Sequence, residues 1–466
     1  MLPTPRLLIA GLSGDSGKTI VSIGLLLSLR RAGIPVRAFK KGPDYIDAAW
    51  LAWASGHPAR NLDVHLMGPD TVVERFLSCA VSDGVNVIEG NRGLFDGFDI
   101  RGSHSSAALA ELLRVPVVLV VDATKMTRTA AALVLGCQTL DPGISIRGVV
   151  LNNISGSRHE RIARGAIESS CSVPVIGALP RLADCPIPER HLGLVPPQEH
   201  SGMDGVAAAV LKLVENTLDL DAFLSIARAA SPLDLPHHVP RPSLPDANGL
   251  RIGVLRDAAF SFYYPENLEA LERAGAQIVP ISSLEAASLP TDLHALYIGG
   301  GFPETHGRRL SANKEFLKSL LKASREGLPI YAECGGLMLL ARSLSWNSER
   351  YEMAGVLPVD VEVFATPQGH GYCELNVDTP NPFLPLGASL RGHEFHYSRI
   401  VNDPGKLETA CATTRGVGCG SGRDFIVSGN VMAGYTHLHA AASPEWAEGI
   451  LRAALKFQSQ GSLLRS

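Results

Sequence analysis

A cysteine at the corner between a strand and a helix is the residue in this sequence best placed to act as a covalent nucleophile. In Leu328-Pro329-Ile330-Tyr331-Ala332-Glu333-Cys334-Gly335-Gly336-Leu337-Met338, the run Pro329 to Ala332 reads as a short buried strand. Leu337 to Leu340 reads as the start of an apolar helix, with Cys334 at the turn between them. A thiol in that place is expected to be exposed. It should also feel the unpaired N–H groups and the positive dipole end of the helix, which favour the thiolate. Gly335 and Gly336 allow a sharp turn and bring N–H donors close to an acyl group on the sulfur. Such a nucleophile needs a base that is distant in the chain and near in the fold. The stretch Val431-Met432-Ala433-Gly434-Tyr435-Thr436-His437-Leu438-His439, a strand followed by a turn, supplies the candidate.

A second chemistry is written near the start. Arg6 to Ala10 is a β-like run that feeds Gly11-Leu12-Ser13-Gly14-Asp15-Ser16-Gly17-Lys18-Thr19, and Ile20 to Arg31 then has helical periodicity. Strand, glycine-rich loop, Lys-Thr and helix is the order a phosphate cradle needs. The loop turns N–H groups inward, Lys18 neutralises phosphate oxygens, and the Thr19 hydroxyl can ligate Mg²⁺. Five residues separate Gly11 from Gly17, where the usual motif has four, and Leu12 stands where the first glycine is expected.

The strands that follow end in charged residues, which is where ligands bind in an open α/β sheet. Val36 to Phe39 runs into Lys40-Lys41-Gly42-Pro43-Asp44-Tyr45-Ile46-Asp47. The lysines suit phosphate or substrate carboxylates, and Asp44 or Asp47 could hold Mg²⁺ or orient a substrate. Val85 to Ile88 runs into Glu89-Gly90-Asn91-Arg92-Gly93, and Glu89 is placed to complete a Mg²⁺ shell with Thr19 and an aspartate, Asp44 or Asp47. Further strands at Val117 to Val121, Gly148 to Leu151 and Val175 to Ala178 alternate with helical segments and argue a parallel sheet. Asn152 and Asn153 close one of these strands and could read an adenine edge.

These sites require two α/β frames. At 466 residues the chain exceeds one ordinary core, and two domains of about 230 residues each are expected. Ser231 to Gly249 holds prolines at 232, 236, 240, 242 and 245 without apolar periodicity, so the expected division is 1–232, a linker 233–249, and 250–466. In the second half, strands are expected at Ile252 to Leu255, Gln277 to Ile281 and Ala295 to Ile298, with helices at Pro265 to Ala274 and Ala312 to Glu326. Gly416 to Gly422, lacking a Lys-Ser/Thr pair, reads as a hairpin. Asp257, Phe260, Phe262, Tyr263, Tyr264 and Glu266 could stack on a flat macrocycle, line a domain contact, or simply pack.

The formal charge of −4, from 42 basic and 46 acidic side chains, points to neither nucleic acid nor an anionic membrane as partner. Eight scattered cysteines without CxxC pairs suit a reducing cytoplasm, and no export or spanning segment is expected.

Gly299-Gly300-Gly301-Phe302-Pro303-Glu304, Ala332-Glu333-Cys334-Gly335-Gly336-Leu337 and Tyr435-Thr436-His437 together resemble the triad-type glutamine amidotransferase domain, in its cobyric and cobyrinic acid synthase branch. The resemblance implies that Cys334 attacks the glutamine amide with His437 as base. It also implies an oxyanion hole from the N–H of Gly335 with that of Gly300 or Gly301. Many relatives place an acid two residues after the histidine. Here that position is His439, so a Cys-His pair without a third member is expected. The phosphate loop is similar to that of dethiobiotin synthetase.

Gly42 to Asp47, Glu89-Gly90 with Gly93-Leu94-Phe95-Asp96-Gly97, Glu189 to Pro196, and Gly392-His393-Glu394-Phe395-His396-Tyr397-Ser398 extend the likeness to the cobyrinic acid a,c-diamide synthase family. It implies a P-loop domain that binds ATP through Gly14, Asp15, Ser16, Gly17, Lys18 and Thr19 and activates the a and c acetates of a corrinoid. Lys41, Asp44, Tyr45, Asp47, Asn91 and Arg92 are then expected at the substrate, and Thr19, Asp47 and Glu89 at Mg²⁺. Where cobyrinate enzymes carry Val-Met, this chain has Asn91-Arg92, which leaves sirohydrochlorin, its nickel chelate or sirohaem open as substrate. Cobyric acid synthase is the nearer rival. A P-loop partitioning ATPase with an inactive glutaminase-like module is the rival from another class. A homodimer is left open.

Overall fold

In the computed structural model, residues 4–182, 187, 189–190, 193–200, 202–234, 243–402 and 407–463 are described. The chain forms two units, Met1–Val239 and Pro240–Ser466. Residues 235–242 of the expected linker and part of the Glu189 to Pro196 motif lie outside the described residues.

The first unit is built on seven strands: β1 Arg6–Gly11, β2 Val36–Lys41, β3 Arg60–Leu62, β4 Val85–Gly93, β5 Val117–Asp122, β6 Ile146–Ile154 and β7 Val175–Pro180. Their order is β3-β2-β4-β1-β5-β6-β7, and every neighbouring pair is parallel. Strands buried on both faces read as continuous apolar runs. Leu7 to Ala10 and Val117 to Val121 are accordingly without exposed surface. Helix α1 (Lys18–Arg31) starts directly after the glycine-rich loop and buries Val21, Ile23, Leu25 and Leu26. The order sets β2, β4 and β1 side by side, so the three loops at their carboxyl ends are neighbours. β3, only three residues long, is too short to declare itself by pattern.

In the second unit, strands Gln277–Ile281, Arg251–Leu255, Ala295–Ile298, Ile330–Glu333 and Val431–Gly434 lie parallel in that order. The same ten-stranded sheet continues through antiparallel strands Arg423–Ser428, Thr409–Arg415, Gly369–Val377, Ser389–His396 and His437–Leu438. Gly416 to Gly422 does join two antiparallel strands. A separate sheet orders Glu349–Glu352, Ser343–Trp346, Asp360–Val363 and Ser398–Asn402. Glu333 pairs with Gly434, and His393 with His437. This register brings three stretches far apart in the sequence to one corner.

Candidate active sites of the two units

In the first unit the glycine-rich loop closes on itself. A Cβ on Gly11 would lie 2.0 Å from the Ser16 hydroxyl oxygen, and Gly17 turns with φ +92°. Asp15, also at positive φ, shapes the same turn, and Gly14 has open space around it. Lys18 donates to the Ser13 carbonyl at 3.0 Å. Burial, then the neighbouring Lys40, lowers its pKa. The Thr19 hydroxyl donates to Glu89 Oε1 at 3.0 Å.

Lys40, read from the sequence with Lys41 as suited to phosphate or substrate carboxylates, is bonded instead to carboxylates of the protein itself. Its ammonium is buried and reaches Glu89 Oε1 at 2.7 Å, Asp47 Oδ2 at 2.6 Å and the Gly90 carbonyl at 3.1 Å. Burial alone would lower its pKa, but Asp47 and Glu89 outweigh that and raise it. Glu89 has no exposed surface, and burial raises its pKa against the pull of Lys40. Its second oxygen, Oε2, has no hydrogen-bond partner among the described residues. Asp44 turns instead to the start of helix α2 (Ile46–Ser55), accepting the Asp47 N–H at 2.8 Å. Burial, then the Asp47 carboxylate, raises its pKa to about 7.

The loop after β2 is tied to β3 and lies against the loop after β4. Asn61, buried on β3, donates to the carbonyls of Gly42 at 2.7 Å and Asp44 at 2.9 Å. The Asn91 amide lies 3.1 Å from where a Cβ on Gly42 would be. Lys41 is buried, with its pKa lowered by burial against the attraction of Asp63. Tyr45 stands at the N-terminus of α2, and Arg92 is exposed at φ +52°. Asn152 donates to the Ser16 carbonyl at 3.0 Å and packs on Gly17, while Asn153 donates to Asp122 at 3.1 Å. Both amides are therefore engaged in bracing the loop and the end of β5.

In the second unit Cys334 stands at the elbow with φ +46° and ψ −99°, a conformation that is strained for any residue but glycine. Its N–H donates to the Gly434 carbonyl at 2.7 Å. The glycines around it are required by close approach. A Cβ on Gly335 would lie 3.0 Å from the Gly301 nitrogen, one on Gly301 2.1 Å from the Ala259 carbonyl, and one on Gly300 2.6 Å from His437 Cε1. The Nε2–Cε1 edge of His437 thus rests on the Gly300 backbone, beside the Gly335 turn.

Two expectations about the thiol are corrected. Cys334 is buried, with only 6% of its surface exposed. The thiolate is also disfavoured. Burial, then the carboxylate of Glu304 with those of Glu333 and Glu394, pushes the thiol far above its ordinary value, and the Gly335 N–H opposes this only in part. The helix that follows is six residues long, and its dipole does not offset three carboxylates.

The expectation that His437 lacks an acid is corrected too. Its Nδ1 is 3.1 Å from Glu333 Oε2. This carboxylate lay unnoticed beside Cys334 because the pattern sought it after the histidine. His439 is engaged elsewhere, accepting the Ala441 N–H at 3.0 Å and packing on Tyr264. The Gly392 to Ser398 run belongs to this site: His393 stacks on His437 with ring centroids 5.0 Å apart, and His396 stacks on Tyr435 at 3.8 Å. Glu394 accepts the N–H groups of Val417 and Gly418 at 2.6 and 2.9 Å. The aromatic cluster after Leu255 packs into the same scaffold. Tyr263 accepts the Gly299 N–H at 2.8 Å, Phe262 donates to the Gly300 carbonyl, and Tyr264 meets His393.

A P-loop α/β unit followed by a Cys-His α/β unit defines a class of two-part enzyme. The comparisons agree: residues 7–195 match the CobQ/CobB/MinD/ParA nucleotide binding domain, and residues 251–445 match the CobB/CobQ-like glutamine amidotransferase domain. The cobyrinate a,c-diamide synthase of Magnetococcus marinus is 43% identical, with 96% of this chain and 97% of that protein covered. Those of Dehalococcoides mccartyi strain CBDB1 and Methanosarcina barkeri are 41% and 37% identical, each covering 97% of this chain and 99% and 97% of their own. The chain belongs to the cobyrinate a,c-diamide synthase family, whose members are glutamine-dependent amidating ligases.

Proposed function

We propose that this chain amidates the a and c acetate carboxylates of cobyrinate, or of its metal-free counterpart hydrogenobyrinate, spending ATP and glutamine. A carboxylate resists ammonia because oxide is a hopeless leaving group. Attack of a carboxylate oxygen on the γ-phosphorus of ATP, with ADP departing, gives an acyl phosphate. Ammonia then forms the C–N bond as phosphate leaves. The loop from Gly14 to Gly17, with Lys18 and Thr19, would hold the phosphates, braced by Asn152. Lys41, Asp44, Tyr45, Asn91 and Arg92 would face the substrate carboxylates.

Thr19, Asp47 and Glu89 fit a Mg²⁺ ion, because Glu89 Oε2 is buried without a partner among the described residues. When bound, that ion supplies charge neutralisation at the β- and γ-phosphates. No cluster of three His, Cys, Asp or Glu side chains suited to a metal occurs among the described residues, so phosphate oxygens would complete the shell. Lys40 holds the two carboxylates together and keeps their charge balanced within the protein.

In the second unit, Cys334 Sγ would attack the glutamine amide carbon while His437 takes the thiol proton and passes it to the departing nitrogen as ammonia. Water then releases glutamate from the thioester. The N–H groups of Gly335 and of Gly300 or Gly301 would carry the oxyanion. Ammonia made this way is delivered unprotonated.

The observation that carries the reading is the convergence of Lys18, Thr19, Lys40, Asp47 and Glu89 at the ends of three adjacent strands. The test is amidation with ATP, Mg²⁺ and cobyrinate, scored by one-unit mass losses. Cys334→Ala should abolish the glutamine-driven reaction and keep the ammonia-driven one, whereas equal loss of both would overturn the division of labour. Sirohydrochlorin, its nickel chelate and sirohaem are run alongside because of Arg92. Two mass losses on one of these, and none on cobyrinate, would move the substrate assignment.

A further inference from the structure

Glu333 is a buried carboxylate whose one ion-pair partner among the described residues is His437. Its Oε1 accepts from the Tyr331 hydroxyl at 3.1 Å and the Leu438 N–H at 3.2 Å, and its Oε2 accepts from the Tyr297 hydroxyl at 3.3 Å. Burying an ionised group without a cation is costly, so a fold keeps one only where it is held by donors and where its charge is used. Four donors converge on this one, and the fourth is the His437 ring.

We infer that Glu333 is the positioning carboxylate of His437, standing in for the acid that many relatives carry two residues after the histidine. The inference rests on the Cys334–His437 reading given above. By accepting at Nδ1, Glu333 holds the proton there and leaves Nε2 as the acceptor, on the ring edge that rests against Gly300. When Nε2 takes the proton from Cys334 as the S–C bond forms, the imidazolium arises beside a fixed negative charge. When it gives that proton to the departing nitrogen, the neutral ring is restored with its tautomer unchanged.

The geometry assigns this to Glu333 and not to His439, whose ring is turned to Ala441 and Tyr264. The chain position follows from strand alternation. Ile330 and Ala332 pack into one side of the sheet, while Tyr331 packs into the other with Tyr297 and Leu438. Glu333 follows Tyr331 onto that second side, and from there it reaches the ring nitrogen remote from Gly300. A nucleophile and the group that orients its base can therefore be adjacent in the chain.

The test uses the full chain. Glu333→Gln should lower kcat for glutamine hydrolysis by roughly 10²- to 10⁴-fold with KM for glutamine within about threefold, the pattern of a lost transition-state interaction. Ammonia-driven amidation should persist in the same preparation, which reports an intact fold, and Glu333→Asp should recover part of kcat. A Glu333→Gln variant hydrolysing glutamine within about threefold of the wild type overturns the inference. A second measurement does not depend on that variant folding: in the wild type, the Nδ1 proton held against a carboxylate should give a far-downfield proton resonance that vanishes in His437→Ala. Its absence from the wild type also overturns the inference. Full glutaminase activity in Cys334→Ala would instead refute the underlying dyad.

Discussion

Replacing Lys40 by methionine removes the only cation bonded to Glu89 among the described residues and keeps the side-chain volume. At 2.7 Å from Glu89, the ammonium contributes about 6 kcal/mol of attraction at an effective dielectric near 20, largely offset by its own desolvation. Breaking a buried pair by deleting one partner leaves the other charge uncompensated, which costs about 3–5 kcal/mol. The melting transition of a unit this size should fall by roughly 10 °C. The cost has a pH signature. In the wild type the raised Lys40 contributes fully below the unfolded lysine value and is lost only as pH rises beyond it, so it adds no slope between pH 5 and 9. In the variant Glu89 keeps its burial, the Asp47 carboxylate and the Thr19 hydroxyl, but has lost its cation. A carboxyl whose folded pKa is raised is tolerated while protonated and penalised as pH climbs, so the deficit should be small at pH 5 and full at pH 8. Differential scanning calorimetry at both pH values, following the transition that shifts with ATP, decides the matter. Equal melting of variant and wild type at pH 8, or a deficit independent of pH, would refute the account of Lys40.

Gly300→Ala places a methyl 2.6 Å from His437 Cε1 and 3.3 Å from Nε2, so the ring must withdraw by about an ångström. A displacement of that size should lower glutaminase kcat by roughly 10²-fold while ammonia-driven amidation continues, and a loss under threefold would contradict the placement of the ring edge. Alkylation of Cys334 by iodoacetamide, read by peptide mass mapping in the free enzyme, should be slow near neutral pH. It should climb about tenfold per pH unit with no plateau below pH 9, because burial and the surrounding carboxylates hold the thiol protonated. A plateau below pH 8 would show a preformed thiolate.

Local devices were readable in the sequence, whereas long-range pairings were readable only in part: Thr19 with Glu89 was expected, and Lys40 with Glu89 and Glu333 with His437 were not. Strands such as Gln277–Ile281 and Ala295–Ile298 announce themselves as short apolar runs, and the structure gives them the same bounds. The glycine-rich loop and the cysteine elbow are contiguous motifs, so their place at a strand end could be seen before any fold was known. Lys40 and Lys41 could not be told apart. β2 runs on through both residues, and only its register with β4, which sets Lys40 beside Glu89, decides which lysine meets the carboxylates. Glu333 was visible as an acid within a buried strand, yet its partner lies 104 residues away. Of the antiparallel strands between Gly369 and Ser428, the polar run from Arg391 reads as a strand and Gly416 to Gly422 as a hairpin, but Gly369–Val377 gives no such signal. Exposed and buried residues alternate there around glycines and polar groups, so no apolar run marks it.

Both sites hold reactive charge in a neutralised state, and they do so by opposite means. In the first unit a cation compensates the carboxylates: Lys40 spans Asp47 and Glu89, and the Lys18 ammonium is folded onto the Ser13 carbonyl. In the second unit burial, then the carboxylates of Glu304, Glu333 and Glu394, raises the pKa of the Cys334 thiol, which favours the proton on sulfur. Their chemistry explains the difference. A phosphate site must accept several negative charges, and a lysine already ordered among acids can turn to them without first being desolvated. A thiol nucleophile needs its negative charge only at the moment of attack, when the histidine can take the proton and backbone N–H groups can receive the charge on the substrate oxygen. A thiol that stays protonated until a substrate carbonyl arrives reacts slowly with other electrophiles, and burial with the acids that act on Cys334 favours that restraint.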